Sequence, residues 1–299
     1  MTEKINKKHI WAKTFTSVVG AMLVAMLVLF SAIDSSSGEA FKQSPAYTYL
    51  SYGISSVALF CALMILKFGF KAEIRPLFKI PDKKYFLALP LIAAGCFFAF
   101  SSLNALFIKL LSIFGYVEQA SDLPEFSPLT FVVLFFVVCV LPAVFEEVLF
   151  RGLIALDLSF SGVIRSALIS AALFALYHFS PAKTLYQFVL GFVFALVALK
   201  SGSVIPGMIL HFINNLVVLI LCFAAPEWNG FTGGALAVSV VCGLILLAAG
   251  LYIIMKSSKT DETVKKQKTN DNRLIDGLLY LAPGVIVALS LWISNFFVK

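Results

Sequence analysis

Of the 299 residues, 60% are hydrophobic and only 13% are charged, and the mean hydropathy is +0.96; a soluble domain of this length cannot bury so much apolar surface, so a lipid bilayer must cover much of it. The formal net charge of +7 would suggest a nucleic-acid partner in a soluble chain. Here the basic residues sit in short segments between apolar runs, which is the pattern of membrane topology and excludes that reading.

A helix needs about 20 apolar residues to cross the hydrocarbon core. In chain order the sequence predicts nine spans, at 14–33, 47–66, 85–108, 129–150, 166–181, 184–200, 203–224, 234–255 and 277–297, with eight as the other possibility. The first is too long for a signal-peptide core, and Ile33-Asp34-Ser35 offers no small-x-small cleavage site, so it reads as a retained helix. The fold class is therefore all-α, a polytopic transmembrane helix bundle forming one domain over 1–299. All five cysteines (Cys61, Cys96, Cys139, Cys222 and Cys242) lie in apolar runs without a CxxC pair, and read as small buried hydrophobes.

Counting Lys and Arg by side orients the chain. With the N-terminus in the cytoplasm, 19 basic residues fall inside, against Lys42, Lys109, Lys183 and Lys299 outside. Lys4, Lys7, Lys8 and Lys13 mark the first inner segment. Six more lie between Lys67 and Lys84, six between Lys256 and Arg273, and Arg151, Arg165 and Lys200 fall on later inner turns. The outer connector 115–128 carries Glu118, Asp122 and Glu125.

Against this apolar background, few ionisable residues fall within spans. Of sixteen Asp and Glu, only Glu146 and Glu147 do so, together with His178 and His211; His9 belongs to the basic N-terminal tail. A carboxylate at depth costs roughly 2.5–3.5 kcal/mol on insertion scales, so such residues face the bundle interior and find partners. A polar clamp between helices would account for one lone histidine; two Glu and two His between 146 and 211 point to chemistry instead.

Helical spacing assigns roles. Glu147 and Arg151 are i,i+4 and can pair on one face, with Arg151 fixing the helix end near the cytoplasmic headgroups. Glu146 points about 100° away and has no local basic partner, which suits a general base. Pro142, four residues earlier, removes a backbone hydrogen bond. Phe174 and His178 are i,i+4, presenting an aromatic wall and an imidazole; His211 and Asn215 are i,i+4, and Asn214 is i,i+3 from His211. Three helices thus bring a carboxylate base, two imidazoles and an amide donor, a set sufficient to activate water and hold an oxyanion.

One geometric difficulty accompanies this reading. If the fourth span ends at Arg151, Glu146 lies roughly 7 Å from its end, whereas His178 lies roughly 20 Å from Arg165 by helix rise. The two would then sit at different depths.

The set Glu146-Glu147-xxx-Arg151, Phe174-xxx-His178 and His211-xxx-Asn215 resembles the three motifs of the CPBP family, which contains the CAAX-processing type II prenyl endopeptidases and the bacterial Abi-type proteins. The resemblance covers about 129–224, the catalytic-motif core. It implies a glutamic intramembrane endopeptidase acting on a membrane-associated or lipid-anchored peptide. In that scheme Glu146 activates water, His178 helps to hold it, His211 and Asn215 donate to the oxyanion, and Glu147, Arg151 and Phe174 support. The chain reads as a multi-pass protein of a prokaryotic plasma membrane; the basic-residue count places its N-terminus in the cytoplasm, and Arg151 at the rim places the opening of the site toward the cytoplasmic half. No cofactor is expected. Zinc on Glu146, His178 and His211 is the runner-up, disfavoured because no HExxH is present and Asn215 is a poor zinc ligand. The alternative function is a membrane scaffold or bacteriocin self-immunity factor in which catalysis is dispensable.

Overall fold

A backbone in hydrocarbon must satisfy its own N–H and C=O groups, so each long apolar run is helical. The computed structural model describes residues 9–35, 41, 44–118, 123–228, 230–257 and 271–297. Several basic residues used in the orientation argument (Lys4, Lys7, Lys8, Lys42, Lys259, Lys265, Lys266, Lys268 and Lys299), and the acidic Asp122, lie outside the described residues. Nine helices run through the described part: α1 Ile10–Ser35, α2 Pro45–Met64, α3 Lys83–Ile113, α4 Pro128–Ser161, α5 Val163–Tyr177, α6 Thr184–Ser201, α7 Ile205–Ala224, α8 Gly233–Ser257 and α9 Asp271–Phe297. Ser44-Pro45 and Ser127-Pro128 start α2 and α4, each serine accepting a backbone N–H of the first turn and each proline occupying a position that has no N–H to lose.

Eight of the nine are long and apolar enough to cross a membrane. Apolar side chains such as Leu27, Phe60, Leu87, Val238, Ile245 and Ile286 stand exposed on the outside of the bundle, as a lipid-facing surface requires. The chain is a multi-pass integral membrane protein. The exception in length is α5, with 15 residues. It ends at Tyr177 rather than at the predicted 181, because Pro181 disfavours helix just before it and the chain turns at Phe179, whose φ is +50°. A non-glycine residue in that region is strained unless its surroundings hold it; Asn295 of α9 donates to the Phe179 carbonyl at 2.8 Å.

The fourth span also departs from expectation. α4 continues ten residues past Arg151 to Ser161, so Arg151 is not at a headgroup boundary but fully buried. It drops out of the inner-loop count. The same extension places Asp157 inside a helix, where it accepts from the Trp11 amide (3.1 Å) and Arg273 Nη2 (3.0 Å), tying α1 and α9 to α4. It also resolves the depth conflict. The turn between α4 and α5 is at Gly162 (φ +93°), and Glu146 precedes it by the same sixteen residues by which His178 follows it. In an antiparallel helix pair, equal distances from the turn bring the two residues to comparable depth.

α4 alternates α-helical and π-helical stretches. A wide-turn segment Phe135–Val140 precedes the α-turn Leu141–Glu146, and a second, Glu147–Leu156, follows it. Such wide turns are rare and cluster at functional sites. Two cores flank this helix, one from α1, α2, α4 and α5 around Phe15, Leu59, Phe150 and Phe174, and one from α3, α6, α7 and α8 around Ile92, Phe194 and Leu210. α8 lies backbone to backbone on α3, where a side chain at Gly95 or Gly243 would run into Leu247 or Ala99. α7 packs between α4 and the α3–α6 pair, and so faces the carboxylates of α4.

Candidate active site

The centre of the site is a buried ion cluster on α4 and α7. Glu147 and Arg151 pair at 2.9 Å with neither side chain exposed, the i,i+4 partnership predicted from spacing. Glu147 does more than neutralise Arg151. The same Oε1 receives His211 Nδ1 at 2.9 Å, so Glu147 holds both the guanidinium and the imidazole. The other nitrogen of His211, Nε2, faces Glu146 Oε2 at 3.8 Å. His211 therefore stands between two carboxylates from neighbouring positions of one helix, which the turn geometry of α4 splays to its two ring nitrogens.

α7 can approach this closely because of Gly207, one turn before His211. A Cβ at that position would lie 2.6 Å from Glu147 Oε2. Glu146 is nearly as buried as Glu147, at 6% exposure, and its Oε2 makes no hydrogen bond among the described residues.

Phe174 joins the second histidine to this cluster. Its ring meets His178 edge-on at 4.8 Å between centroids and His211 at 6.0 Å, and it carries the Arg151 guanidinium 4.1 Å from its centroid. His178 Nδ1 donates to the Phe174 carbonyl at 2.8 Å. That carbonyl only accepts, so Nδ1 carries the hydrogen and Nε2 of the neutral ring is left as an acceptor.

Asn215 is held by backbone and side-chain partners. Pro142 has no N–H to offer the carbonyl of Val138 one turn before it, and Asn215 Nδ2 donates to that carbonyl at 2.9 Å. Asn215 Oδ1 accepts from Asn214 Nδ2 at 3.2 Å, and Asn214 Oδ1 accepts from the Tyr186 hydroxyl at 2.8 Å. The chain Tyr186–Asn214–Asn215–Val138 fixes which way the Asn215 amide faces and leaves its second N–H uncommitted.

The structure thus brings Glu146, Glu147, Arg151, Phe174 and His211 into one contact network, adds His178 through Phe174, and sets Asn215 one helical turn beyond His211. Three contributors were not singled out from the sequence. Tyr186 gave one signal, a hydroxyl in an apolar helix that must find a partner. Gly207 and the Val138 carbonyl gave none, since each matters only through the packing of α7 on α4. Among the described residues, no three His, Cys, Asp or Glu side chains converge as a group that could hold a metal ion. The cavity beyond Asn215, about 330 Å³, lies toward the connections after α3 and α7. That is the side away from Gly162.

Fold and site together define a multi-pass membrane protein whose interior holds a glutamate-histidine-asparagine cluster on α4, α5 and α7. The sequence model of the family described as "Rce1-like: Type II CAAX prenyl endopeptidase Rce1-like" matches residues 128–217, from the start of α4 into α7, so this third of the chain is similar to that family. No curated protein and no solved structure matches the chain.

Proposed function

We propose that this chain is an intramembrane endopeptidase that hydrolyses a peptide bond of a membrane-associated or lipid-anchored peptide with water activated by Glu146. The observation that carries the reading is the buried Glu146 Oε2, which has no hydrogen-bond partner among the described residues and faces His211 Nε2. A carboxylate in such a place is poised to accept a proton from water.

In the proposed reaction, water sits between Glu146 and the free Nε2 of His178. Its oxygen attacks the scissile carbonyl carbon while its proton passes to Glu146. The carbonyl oxygen becomes an oxyanion, stabilised by the second N–H of Asn215 and by a ring N–H of His211. Collapse of the tetrahedral intermediate breaks the C–N bond, and Glu146 returns the proton to the leaving amine. Glu147 and Arg151 position His211 without touching substrate. The positive-inside count supports a cytoplasmic N-terminus within this reading.

The test compares the membrane peptides of cells carrying the wild-type protein with those of cells carrying Glu146→Gln, an exchange that keeps the volume but cannot take the proton. A peptide that is shortened only with the wild type supports hydrolysis. Identical peptides, together with full biological function of a well-folded Glu146→Gln protein, would leave the scaffold or immunity reading in its place.

A further inference from the structure

The catalytic stripe of α7 does not end at Asn215. Val218 and Cys222, three and seven residues on, continue the same helix face and line the cavity of about 330 Å³, a volume typical of small ligand pockets. The opposite wall is α3, with Phe97, Ser101 and Asn104; Tyr186 of α6 closes one side, and Glu118 and Trp228 stand at the connections.

The polar chemistry of this wall leans toward acceptors, with the Asn104 amide nitrogen and the Trp228 indole N–H as donors. Ser101 Oγ donates to the Phe97 carbonyl at 2.6 Å, and the Tyr186 hydroxyl donates to Asn214, so both oxygens offer lone pairs to the cavity. Asn104 Oδ1 is buried without a hydrogen-bond partner. Glu118 is exposed and adds a carboxylate. Phe97 and Trp228 stack at 5.7 Å and 18°, giving aromatic faces of the kind that attract cations. Lys183 lies close enough to feel the charge of Glu118 but does not line the cavity. A pocket with surplus acceptors, a carboxylate and aromatic faces is complementary to a cation that carries N–H donors, and a poor fit for an anion.

Resting on the endopeptidase reading, we propose that this cavity is a substrate subsite that takes a cationic group of the membrane peptide, a Lys or Arg side chain or the free N-terminal amine, against Glu118. Tyr186 is both its wall and the first member of the hydrogen-bond chain to Asn215, so an occupant there sits two hydrogen bonds from the oxyanion amide.

The experiment measures binding rather than turnover, with purified Glu146→Gln protein in lipid nanodiscs. The probes are fluorescent synthetic peptides of one length and one acyl anchor, in which a single Lys, Glu or Leu is walked through the positions. Each is made with a free and with an acetylated N-terminus. At one position, or with the free amine, the cationic peptide is expected to bind about tenfold more tightly than its neutral counterpart, the size of a charge-assisted hydrogen bond. Glu118→Gln should erase that preference and Glu118→Lys should shift it to the Glu series. Equal or absent binding across the series, or a Lys preference that survives Glu118→Gln, overturns the subsite. Failure here is separable from failure of the endopeptidase reading. Cleavage by the wild type without cation preference would sink only the subsite, whereas Glu118-dependent cation binding by a protein that cleaves nothing would sink only the hydrolysis.

Discussion

Gly207→Ala is the sharpest probe of how the site is held. The added methyl would lie 2.6 Å from Glu147 Oε2, and real Cβ contacts essentially never fall below 3.0 Å, so something must move by at least about 0.4 Å. A carboxylate at the end of a flexible side chain would ordinarily swing aside. Glu147 has no such freedom, since its Oε1 is tied at 2.9 Å to both Arg151 and His211 and the residue has no exposed surface. The strain must therefore displace either Glu147 or α7, and in both cases it changes the position of His211 relative to Glu146. Overpacking of this kind costs about 1–3 kcal/mol, while replacing a helical glycine by alanine returns about 1 kcal/mol. The thermal midpoint should fall only modestly. Activity should fall far more, because misplacing a catalytic group by about 1 Å can cost roughly a hundredfold. The expected result is a loss of about ten- to a hundredfold in kcat with little change in KM, measured on a membrane-anchored peptide in nanodiscs beside a thermal melt. A Gly207→Ala protein with wild-type kcat would refute the claim that contact between α7 and Glu147 sets the geometry of His211.

Four further outcomes follow from the same contacts. Glu147→Gln leaves the buried Arg151 without its counter-charge and His211 Nδ1 with a weaker acceptor, so it should destabilise the fold by about 3–5 kcal/mol, visible in thermal unfolding; a well-folded but inactive protein would assign it a direct chemical role instead. Tyr186→Phe removes the donor to Asn214 Oδ1, a hydrogen bond of about 1 kcal/mol, and should lower kcat several-fold with the melt nearly unchanged; an unaltered kcat would show that Asn215 needs no such support. Cysteines placed in the 67–84 and 256–276 loops should escape a membrane-impermeant reagent applied from outside, and efficient external labelling of either would reverse the orientation. Purified active protein should contain far less than one equivalent of zinc and keep its activity in chelator; stoichiometric zinc with activity restored by the metal would replace glutamate-activated water with Lewis-acid hydrolysis.

Much of the candidate site was legible because ionisable residues in an apolar chain are conspicuous and helical periodicity sorts them by face. The Glu147–Arg151 pair and the Phe174–His178 contact are local, separated by four positions each, and both appear as spacing predicts. The link from Glu147 to His211 spans 64 positions and no local pattern encodes it. Sequence spacing therefore counted Glu147 as a partner of Arg151 alone, when one oxygen serves both groups. Tyr186 was hidden for the same reason: its meaning lies in a hydrogen bond to Asn214 between two helices.

The end of the fourth helix departs from the sequence pattern for a reason that bears on the chemistry. An arginine after a long apolar run ordinarily marks the headgroup boundary, and Arg151 does not. Its guanidinium is instead neutralised by Glu147 and laid on the rings of Phe174 and Phe194, which allows the helix to run on to Ser161. Had α4 ended at Arg151, Glu146 would lie a few residues from the boundary, far in depth from His178. The buried cation therefore has two effects. It stabilises the carboxylate that orients His211, and by removing the need for a boundary at 151 it lets α4 extend until Glu146 and His178 are equidistant from Gly162. The pairing of Glu147 with Arg151 is thus a condition for α4 and α5 to meet at the depth where Phe174 touches both imidazoles.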